Sequence, residues 1–258
     1  MKHGRSKGRK RDSGAALNDS GAAVNDPAQK GRGASSCSER GNASGLEKVP
    51  STDLENVPFA SFEGVTVRFD GKTVIDDLSF SLDGPGIYLL EGPSGSGKTT
   101  VLRVLAGLEN AYEGKRFVNG KVSVIFQEPR LFEDFSVLEN VMLAVDPKKR
   151  GVTRREAEAV CAGILGRLGL GAELSKKAGE CSGGMKQRVA AARALAAEPD
   201  VLLADEPFSA LDEDNRRTEA ELLAEISSSC IVLIATHGGE GLFGEEAVKA
   251  RIRLDMPG

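Results

Sequence analysis

A glycine-rich motif in the first half of the chain has the residue types that bind phosphate. The motif is Gly92-x-x-x-x-Gly97-Lys98-Thr99, between the apolar run 87–90 and a stretch with apolar residues at helical spacing. Glycines allow backbone N–H groups to converge on phosphate oxygens without a Cβ atom in the way, and the following helix start adds positive charge. The lysine would reach the β- and γ-phosphates of a nucleotide, and the threonine hydroxyl would ligate Mg²⁺. A strand before and a helix after are the context that this motif requires, so it predicts nucleotide binding rather than a chance glycine loop.

Two carboxylates end a second apolar run further along the chain. Asp205 and Glu206 directly follow the apolar residues 201–204, a pattern typical of a parallel strand that is buried on both faces. Asp205 at the end of such a strand is placed to hold Mg²⁺ through water, and Glu206 would face the γ-phosphate and polarise an attacking water. The alternative is a solvated strand end, against which Pro207 and the apolar run both argue.

Hydrophobic periodicity predicts the elements that must position these residues. Alternation over residues 65–69, a two-residue turn at Asp70-Gly71 and renewed alternation over residues 78–82 predict a small antiparallel sheet before the phosphate loop. Phe69 ends the first strand, where it could stack on a base, although periodicity alone favours a core residue. The remaining predictions are a short polar hairpin over 112–120, strands over 122–126, 201–206, 231–235 and 250–254, and helices over 137–144, 154–168, 185–197 and 244–249.

Composition separates a body from a tail. With 40% hydrophobic and 28% charged residues, the chain is typical of soluble globular proteins, and it has neither a transmembrane run nor a signal-peptide core. Residues 1–55 have almost no large apolar residues, so we predict a disordered, low-complexity basic tail. Its basic cluster could contact anionic lipid or nucleic acid, but a solvated tail or an over-extended start of translation is favoured.

Charge and cysteine usage narrow the function class. Residues 1–48 hold 10 Lys and Arg against 5 Asp and Glu, whereas the rest of the chain holds 24 against 33. An acidic body argues against a nucleic-acid-binding enzyme. The four cysteines are scattered without metal-ligand spacing, which favours unpaired thiols in a reducing cytoplasm.

The order of the motifs is more specific than any one of them. The phosphate loop is followed by Gln127, Ser182-Gly183-Gly184, Asp205-Glu206, Ser209-Ala-Leu-Asp212 and His237. This order resembles the ATP-binding-cassette (ABC) ATPases over residues 58 to about 254. The resemblance implies an α/β P-loop NTPase of ABC type, with a mixed sheet core and an N-terminal antiparallel β subdomain. It places a helical subdomain at about residues 130–183 of an ABC ATPase domain that spans residues 56–258.

The resemblance also implies roles for single residues, with ATP and Mg²⁺ as ligands. Glu206 would be the catalytic glutamate, and Gln127 would sense Mg²⁺ and the attacking water and transmit motion to a membrane partner. A lone histidine is usually structural, but His237 matches the switch histidine that hydrogen-bonds the γ-phosphate. Phe69 matches the adenine-stacking aromatic. The expected ATP contacts are Phe69, Gly92, Pro93, Ser94, Gly95, Ser96, Gly97, Lys98, Thr99, Thr100, Ser182, Gly183 and Gly184, and the expected Mg²⁺ ligands are Thr99, Asp205 and Gln127.

The segment Cys181-Ser182-Gly183-Gly184-Met185 is similar to the ABC signature. In the family, its serine and glycines cap the γ-phosphate of ATP that a second copy holds, so two cassettes sandwich two nucleotides. We therefore expect a second ABC ATPase subunit as partner, most simply in a homodimer, with the Asp212 loop at the seam. The family usually has Leu at the position of Cys181 and Gln at that of Met185. The Ser-Gly-Gly centre is intact, so hydrolysis is expected to survive.

One cassette without a membrane span or extra domain predicts a separate ATPase subunit. It would be cytoplasmic and peripheral on the inner face of the cell membrane, docked on integral membrane permease subunits. A short permease helix would enter a groove near Gln127 and residues 130–145. An extracytoplasmic solute-binding protein would take part indirectly, and no nucleic acid is expected.

Three segments look like the nitrate, sulfonate and taurine group of bacterial importers: residues 111–121, 126–131 and 183–188. Two other readings stay open. A non-transport ABC ATPase could act mechanically or as a regulator, for example in lipoprotein release or cell division. An ATP-binding module without turnover would be expected to lack Glu206 or His237, and both are present.

Overall fold

Two β-sheets of different kinds frame the protein in the computed structural model, which describes residues 57–237 and 241–256. The predicted tail over residues 1–55 lies outside these ranges. The strands are β1 (Phe59–Phe69), β2 (Lys72–Asp83), β3 (Gly86–Glu91), β4 (Tyr112–Asn119), β5 (Val122–Ile125), β6 (Val201–Asp205), β7 (Ile231–Thr236) and β8 (Val248–Arg253). The helices are α1 (Lys98–Leu105), α2 (Val137–Met142), α3 (Pro147–Arg150), α4 (Arg154–Arg167), α5 (Gly183–Ala196) and α6 (Glu213–Ile226), with short 3₁₀ helices at Ala178–Glu180 and Glu245–Ala247.

The first sheet is antiparallel, with the strand order β2-β1-β4. Asp70 and Gly71 connect β1 to β2 and have φ angles of 50° and 77°. Positive φ at both central residues is what a two-residue hairpin turn needs to match the twist of its strands. Phe69 pairs with Lys72 across this turn, which confirms the predicted hairpin.

The predicted polar hairpin over residues 112–120 is wrong, because this segment is the single strand β4, which pairs antiparallel with β1. Gly114 lies within this strand and has a left-handed φ angle of 88°. A Cβ atom at this position would lie 2.3 Å from the carbonyl oxygen of Gly64. The glycine therefore permits the close approach of two strands rather than a chain reversal.

The second sheet is parallel in all of its described pairings, with the order β5-β6-β7-β3-β8. The antiparallel sheet is the N-terminal subdomain that the resemblance implied, whereas the core sheet, which was expected to be mixed, has parallel pairings among all of its described strands. Its central strands are apolar throughout because each face packs against a separate core. Leu202 and Ala204 of β6 join the core formed with α4, α5 and α6, whereas Leu203 joins the core formed with α1 and the antiparallel sheet.

Register brings the predicted chemistry to one edge of the parallel sheet. Glu91, at the end of β3, pairs with Thr236 of β7, and Asp205 of β6 pairs with Ala235 of β7. Carboxyl ends of adjacent parallel strands meet at the same edge, which is where ligands bind in open α/β sheets. The phosphate loop, Glu206 and His237 therefore leave the sheet side by side.

The predicted helix over residues 244–249 is also wrong. Only Glu245–Ala247 forms a turn of 3₁₀ helix, and Val248 already begins β8, which pairs parallel with β3. Pairing with a buried neighbouring strand outweighed the local helical spacing, as tertiary context often does.

Helices α2, α3 and α4 are inserted between β5 and α5. Ser136 begins α2 and Thr153 begins α4 with capping boxes, in which the side chains of Glu139 and Glu156 accept from the backbone N–H of the capping residue. Their apolar faces join the core shared with α5. Among the helices in the described ranges, none is long and apolar enough to span a membrane.

Candidate nucleotide-binding site

The phosphate loop leads into α1 with its helix start left open. Gly97 is the N-cap residue, with a φ angle of 94° in the left-handed region, and no side chain caps the first turn. That turn also contains no acidic residue. The first backbone N–H groups of a helix lack intrahelical acceptors, so an anion can take them up.

Two glycines of the loop occupy positions where a larger residue would not fit. A Cβ atom at Gly92 would lie 2.6 Å from Ser96 Oγ and 2.7 Å from the Leu254 carbonyl oxygen. One at Gly97 would lie 2.9 Å from the Val74 carbonyl oxygen. The loop is therefore a tight backbone cradle, which is the form that phosphate binding requires.

Lys98 lies at the centre of this cradle. Its ammonium donates to the Gly92 and Pro93 carbonyl oxygens at 2.8 and 3.0 Å, and it lies 3.4 Å from His237 Nε2. Burial lowers the pKa of Lys98, against the opposing effect of the Glu206 and Asp205 carboxylates. Its hydrogen bonds go to neutral carbonyl oxygens rather than to a carboxylate, so the ammonium is available to pair with an incoming anion.

Thr99 and Asp205 form the next pair, with a hydrogen bond of 2.7 Å from Thr99 Oγ1 to Asp205 Oδ2. Asp205 is buried at the end of β6. Burial raises the pKa of this carboxyl, while the Thr99 hydrogen bond lowers it and Glu206 raises it further. A hydroxyl and a carboxylate are hard oxygen ligands of the kind that Mg²⁺ prefers, so the two residues fit the expected ion.

Glu206 contacts two further predicted residues. Its Oε1 lies 2.8 Å from His237 Nε2, and its Oε2 accepts from Gln127 Nε2 at 3.4 Å. Glu206 has a φ angle of 47°, and its N–H donates to the Ala235 carbonyl oxygen at 3.0 Å. Left-handed backbone at a glutamate is strained and concentrates at functional sites.

One cavity of about 360 Å³ joins these residues except Asp205, which lines a second cavity together with Thr99 and Gln127. The predicted residues that line the first cavity are Ser94, Gly95, Gly97, Lys98, Thr99, Thr100, Gln127, Glu206 and His237. Val74 also lines it and was not predicted, because a valine in a strand gives no functional signal. Gly92, Pro93 and Ser96 do not line the cavity. The carbonyl oxygens of Gly92 and Pro93 accept hydrogen bonds from Lys98, and Ser96 Oγ is buried without a partner among the described atoms.

Phe69 and the signature segment do not line this cavity. Phe69 is 42% exposed at the end of β1, so the core position favoured by its periodicity is wrong. Ser182 caps α5 by accepting from the Met185 N–H, and both Ser182 and Gly183 are exposed. A Cβ atom at Gly184 would lie 3.0 Å from the Ala210 carbonyl oxygen, so the signature packs against the loop before α6.

Asp212 closes that loop as the N-cap of α6. Its carboxylate accepts from the Asn215 N–H and side-chain amide at 2.9 and 2.8 Å. These hydrogen bonds lower the pKa of the Asp212 carboxyl. In the loop that the resemblance assigned to a dimer seam, Ser209, Ala210 and Asp212 are exposed, whereas Leu211 is buried.

Comparison with known proteins assigns the family. An "Fe(3+) ions import ATP-binding protein" of Streptomyces coelicolor is 37% identical over 190 residues, which cover 69% of this chain and 54% of that protein. An "aliphatic sulfonates import ATP-binding protein" of Pseudomonas fluorescens is 44% identical over 177 residues, covering 67% of this chain and 65% of that protein. The chain thus spans about half the length of the iron-import relatives it matches.

Solved structures agree on the fold. A dimeric bacterial ABC transporter cassette superposes with a TM-score of 0.69 at 24% identity, over 76% of this chain and 94% of that one. A bacterial Atm1-family ABC exporter with ATP bound superposes with a TM-score of 0.67 at 22% identity, over 81% of this chain and 39% of that one. The family model described as "ABC transporter" matches residues 75–209. The chain therefore belongs to the ABC transporter family.

Proposed function

We propose that the chain hydrolyses ATP as the energising subunit of a membrane importer. One observation carries this proposal. A buried cation, a carboxylate that could activate water, and the groups that would bind phosphate and Mg²⁺ all lie around one cavity and its wall. The residues concerned are Lys98, Thr99, Gln127, Asp205, Glu206 and His237. The relatives named as import ATP-binding proteins support the same reading.

ATP would bind with its phosphates at the start of α1. The uncapped first turn and the cradle beneath it offer backbone N–H groups, and Lys98 offers a partly desolvated charge. Phe69 is exposed at the end of its strand, so its ring is accessible for stacking on adenine. Most of the proposed contacts are to the phosphates, and a single aromatic ring would contact the base.

Mg²⁺ would be held by Thr99 and Asp205, with Gln127 beside them. Such an ion, when bound, would neutralise charge on the β- and γ-phosphates during transfer. Because Thr99 already donates to Asp205, the two ligands are positioned by one another before any ion arrives.

Turnover would depend on Glu206 and His237. The carboxylate at 2.8 Å from the imidazole can accept a hydrogen bond from a water and orient it towards the γ-phosphate. His237 would fix this carboxylate and reach the phosphate with its ring, since the same ring lies near Lys98. Gln127 holds the other carboxylate oxygen, so a movement of Gln127 would alter the orientation of Glu206.

The signature segment does not contribute to the nucleotide cavity of its own chain. Ser182 and Gly183 are exposed on α5 and do not line the cavity of their own chain. We therefore propose that a second copy supplies them, so that ATP joins two cassettes and hydrolysis releases them. The dimeric cassette among the structural neighbours has the fold needed for this arrangement.

Permease subunits would dock where two grooves flank the helical insertion. A cavity of about 190 Å³ lies between α1 and Gln127; the exposed Leu108 and Phe126 line it, and it extends to the proposed Mg²⁺ ligands Thr99 and Asp205. A larger groove of about 740 Å³ is lined by α2, α3 and the start of α4, with Phe135 and Leu143 exposed. A short permease helix with apolar side chains fits such surfaces. The chain would then be peripheral on the inner face of the membrane, with a solute-binding protein contributing from the other side.

Two measurements test this function. Purified chain should release phosphate from ATP in the presence of Mg²⁺, and affinity purification from native membranes should recover a multi-span membrane protein. Recovery of ribosomes or DNA instead would contradict the transport role, and absence of phosphate release with the permease present would contradict the enzymatic one.

A further inference from the structure

A further cavity, of about 160 Å³, adjoins the nucleotide cavity at Glu206 and His237, which line both. Arg216 of α6 lines only the smaller one, which is termed the α6 cavity below. A water molecule needs about 10–15 Å³ of such space. The α6 cavity therefore has room for a small ion such as phosphate together with several waters.

Arg216 lies in the first turn of α6 and is half-buried. Among the described residues its side chain makes a single hydrogen bond, from Nη2 to the Leu211 carbonyl oxygen at 3.5 Å. That distance is near the limit for a hydrogen bond. Its Nε is buried and has no partner among the described atoms. A guanidinium has five N–H donors and stays charged, so most of its bonding capacity is unused here.

No carboxylate in the described part of the chain neutralises this guanidinium. The next residue, Arg217, pairs with Glu213 at 4.0 Å. Glu219 lies one turn further along α6, but both of its carboxyl oxygens lack a partner among the described atoms, so it does not pair with Arg216. A half-buried cation without a counter-charge favours the binding of an anion.

The other residues of the α6 cavity suit a small oxyanion. Ser209 and Thr236 line it and have hydroxyl groups, which can donate to phosphate oxygens. A guanidinium can donate two parallel hydrogen bonds to the same ion. Phe208 and Leu242 also line the cavity, and apolar side chains lower the local dielectric constant and so strengthen ionic interactions. The cavity thus combines a cation, hydroxyl donors and apolar side chains.

A phosphate ion would be produced at the point where the two cavities meet. In the proposed reaction the water oxygen bonds to the γ-phosphorus, the bond from that phosphorus to the bridging oxygen breaks, and ADP and inorganic phosphate result. The Glu206 carboxylate and the β-phosphate of ADP both repel the released phosphate, whereas Arg216 attracts it. Movement of the phosphate into the α6 cavity would therefore lower its electrostatic energy.

We propose that Arg216 binds the inorganic phosphate that leaves the nucleotide site, in the α6 cavity. The proposal rests on the ATPase function proposed above and adds a site for one of its products. Arg216 would be a product-binding residue, which contacts phosphate after cleavage and takes no part in the cleavage itself.

Equilibrium dialysis of the full-length protein against radiolabelled inorganic phosphate, with saturating ADP and Mg²⁺, tests the site directly. Arg216→Met should weaken phosphate binding by about tenfold or more, because a charge-assisted hydrogen bond is lost. Arg216→Lys should bind phosphate more tightly than Arg216→Met, because it keeps the charge. The matched control is Arg217→Met, which removes the neighbouring exposed arginine and should bind phosphate like wild type.

Equal phosphate affinities in wild type and Arg216→Met would overturn the proposal, and so would the absence of phosphate binding to wild type. The affinity for a fluorescent ATP analogue should be the same in both proteins. If it fell in Arg216→Met by the same factor as the phosphate affinity, Arg216 would have a general structural role and the proposal would be wrong. If Arg216→Met fails to fold, Arg216→Gln makes the same comparison, because its amide can still donate to the Leu211 carbonyl while the charge is gone.

Product inhibition measures the same site during turnover. Added inorganic phosphate should inhibit ATP hydrolysis by wild type and Arg217→Met, and Arg216→Met should need about tenfold more phosphate for the same inhibition. One inhibition constant for all three proteins would contradict the proposal. If the chain hydrolyses no ATP at all, the proposed function fails, but the dialysis still decides whether Arg216 binds phosphate.

Discussion

The imidazole of His237 lies against the carboxylate of Glu206, with 2.8 Å between Nε2 and Oε1. The two residues leave adjacent parallel strands, and the register of β6 with β7 fixes their separation. The Glu206 N–H donates to the Ala235 carbonyl oxygen, which holds the glutamate in its left-handed backbone conformation. The sheet therefore imposes this contact before any nucleotide is bound.

Glu206→Gln should lower ATP hydrolysis by at least about 100-fold, because an amide cannot act as the general base. ATP should still bind, and a dimer should accumulate because the nucleotide that joins two copies is no longer cleaved. Phosphate release and the molar mass in solution with ATP measure both effects. Glu221→Gln is the control, since this residue is exposed on α6. Unchanged hydrolysis in Glu206→Gln would refute the role of Glu206.

Lys98→Ala should weaken ATP binding itself by about 10- to 100-fold, because a charge-assisted contact to the phosphates is lost. The matched control is Lys115→Ala, which removes an exposed lysine paired with Glu63. Titration with a fluorescent ATP analogue separates the two variants. Equal affinities in both would show that the cradle binds phosphate without Lys98.

The affinity for Mg²⁺ should fall as the solution is acidified. Burial raises the pKa of Asp205, so its carboxyl takes up a proton at a higher pH than an ordinary aspartate does. A neutral carboxyl is a poor ligand, and more Mg²⁺ should then be needed for half-maximal hydrolysis at about pH 5.5 than at about pH 7.5. Asp205→Asn should need high Mg²⁺ at both values. If Asp205→Asn needs no more Mg²⁺ than wild type at about pH 7.5, Asp205 is not a ligand.

Much of this site could be predicted from the sequence because its residues end apolar strands. The continuous runs before Asp205 and His237 predicted parallel strands with both faces buried, and parallel strands gather their carboxyl ends at one edge. The strand pattern thus predicted the placement of Asp205 and Glu206, whereas the roles of Gln127 and His237 came from the resemblance to the ABC ATPases. The contact of Val74 with the same cavity could not be predicted, since it depends on how the antiparallel sheet lies over the phosphate loop.

Polar segments gave the errors of the fold prediction. β4 is largely exposed, so its sequence lacks a clear alternation of apolar and polar residues, and its Gly114 permits a close approach to the Gly64 carbonyl rather than a turn. The predicted helix over residues 244–249 overlapped the start of β8, because only the pairing with β3 makes residues 248 and 249 part of a strand, whereas the rest of β8 agrees with the predicted strand 250–254. In both segments the deciding interaction is a backbone ladder to a distant strand, which leaves no local sequence signal.

The free energy of unfolding should depend on pH because the carboxyl of Glu219 is buried in α6. A carboxyl whose pKa is raised to about 8 in the folded protein binds a proton that the unfolded chain has already lost above about pH 4.5. Unfolding is therefore favoured progressively as the pH rises from about 4.5 to about 8, by up to a few kcal/mol. Glu219→Gln should remove this slope from the free energy of unfolding measured in denaturant. A parallel pH dependence in the variant would contradict the raised pKa.

Mixing two inactive variants tests whether the signature acts on a partner copy. Gly183 is exposed, and a Cβ atom there would meet no atom within 4 Å, so Gly183→Arg should fold normally and lose hydrolysis only through the dimer. Lys98→Ala should be inactive through its own phosphate loop. A mixed dimer has one composite site with an intact Lys98 from one chain and an intact signature from the other. Mixing should therefore restore hydrolysis in part. Two copies of a site that each completed itself within one chain would stay inactive after mixing, and that result would contradict the shared site.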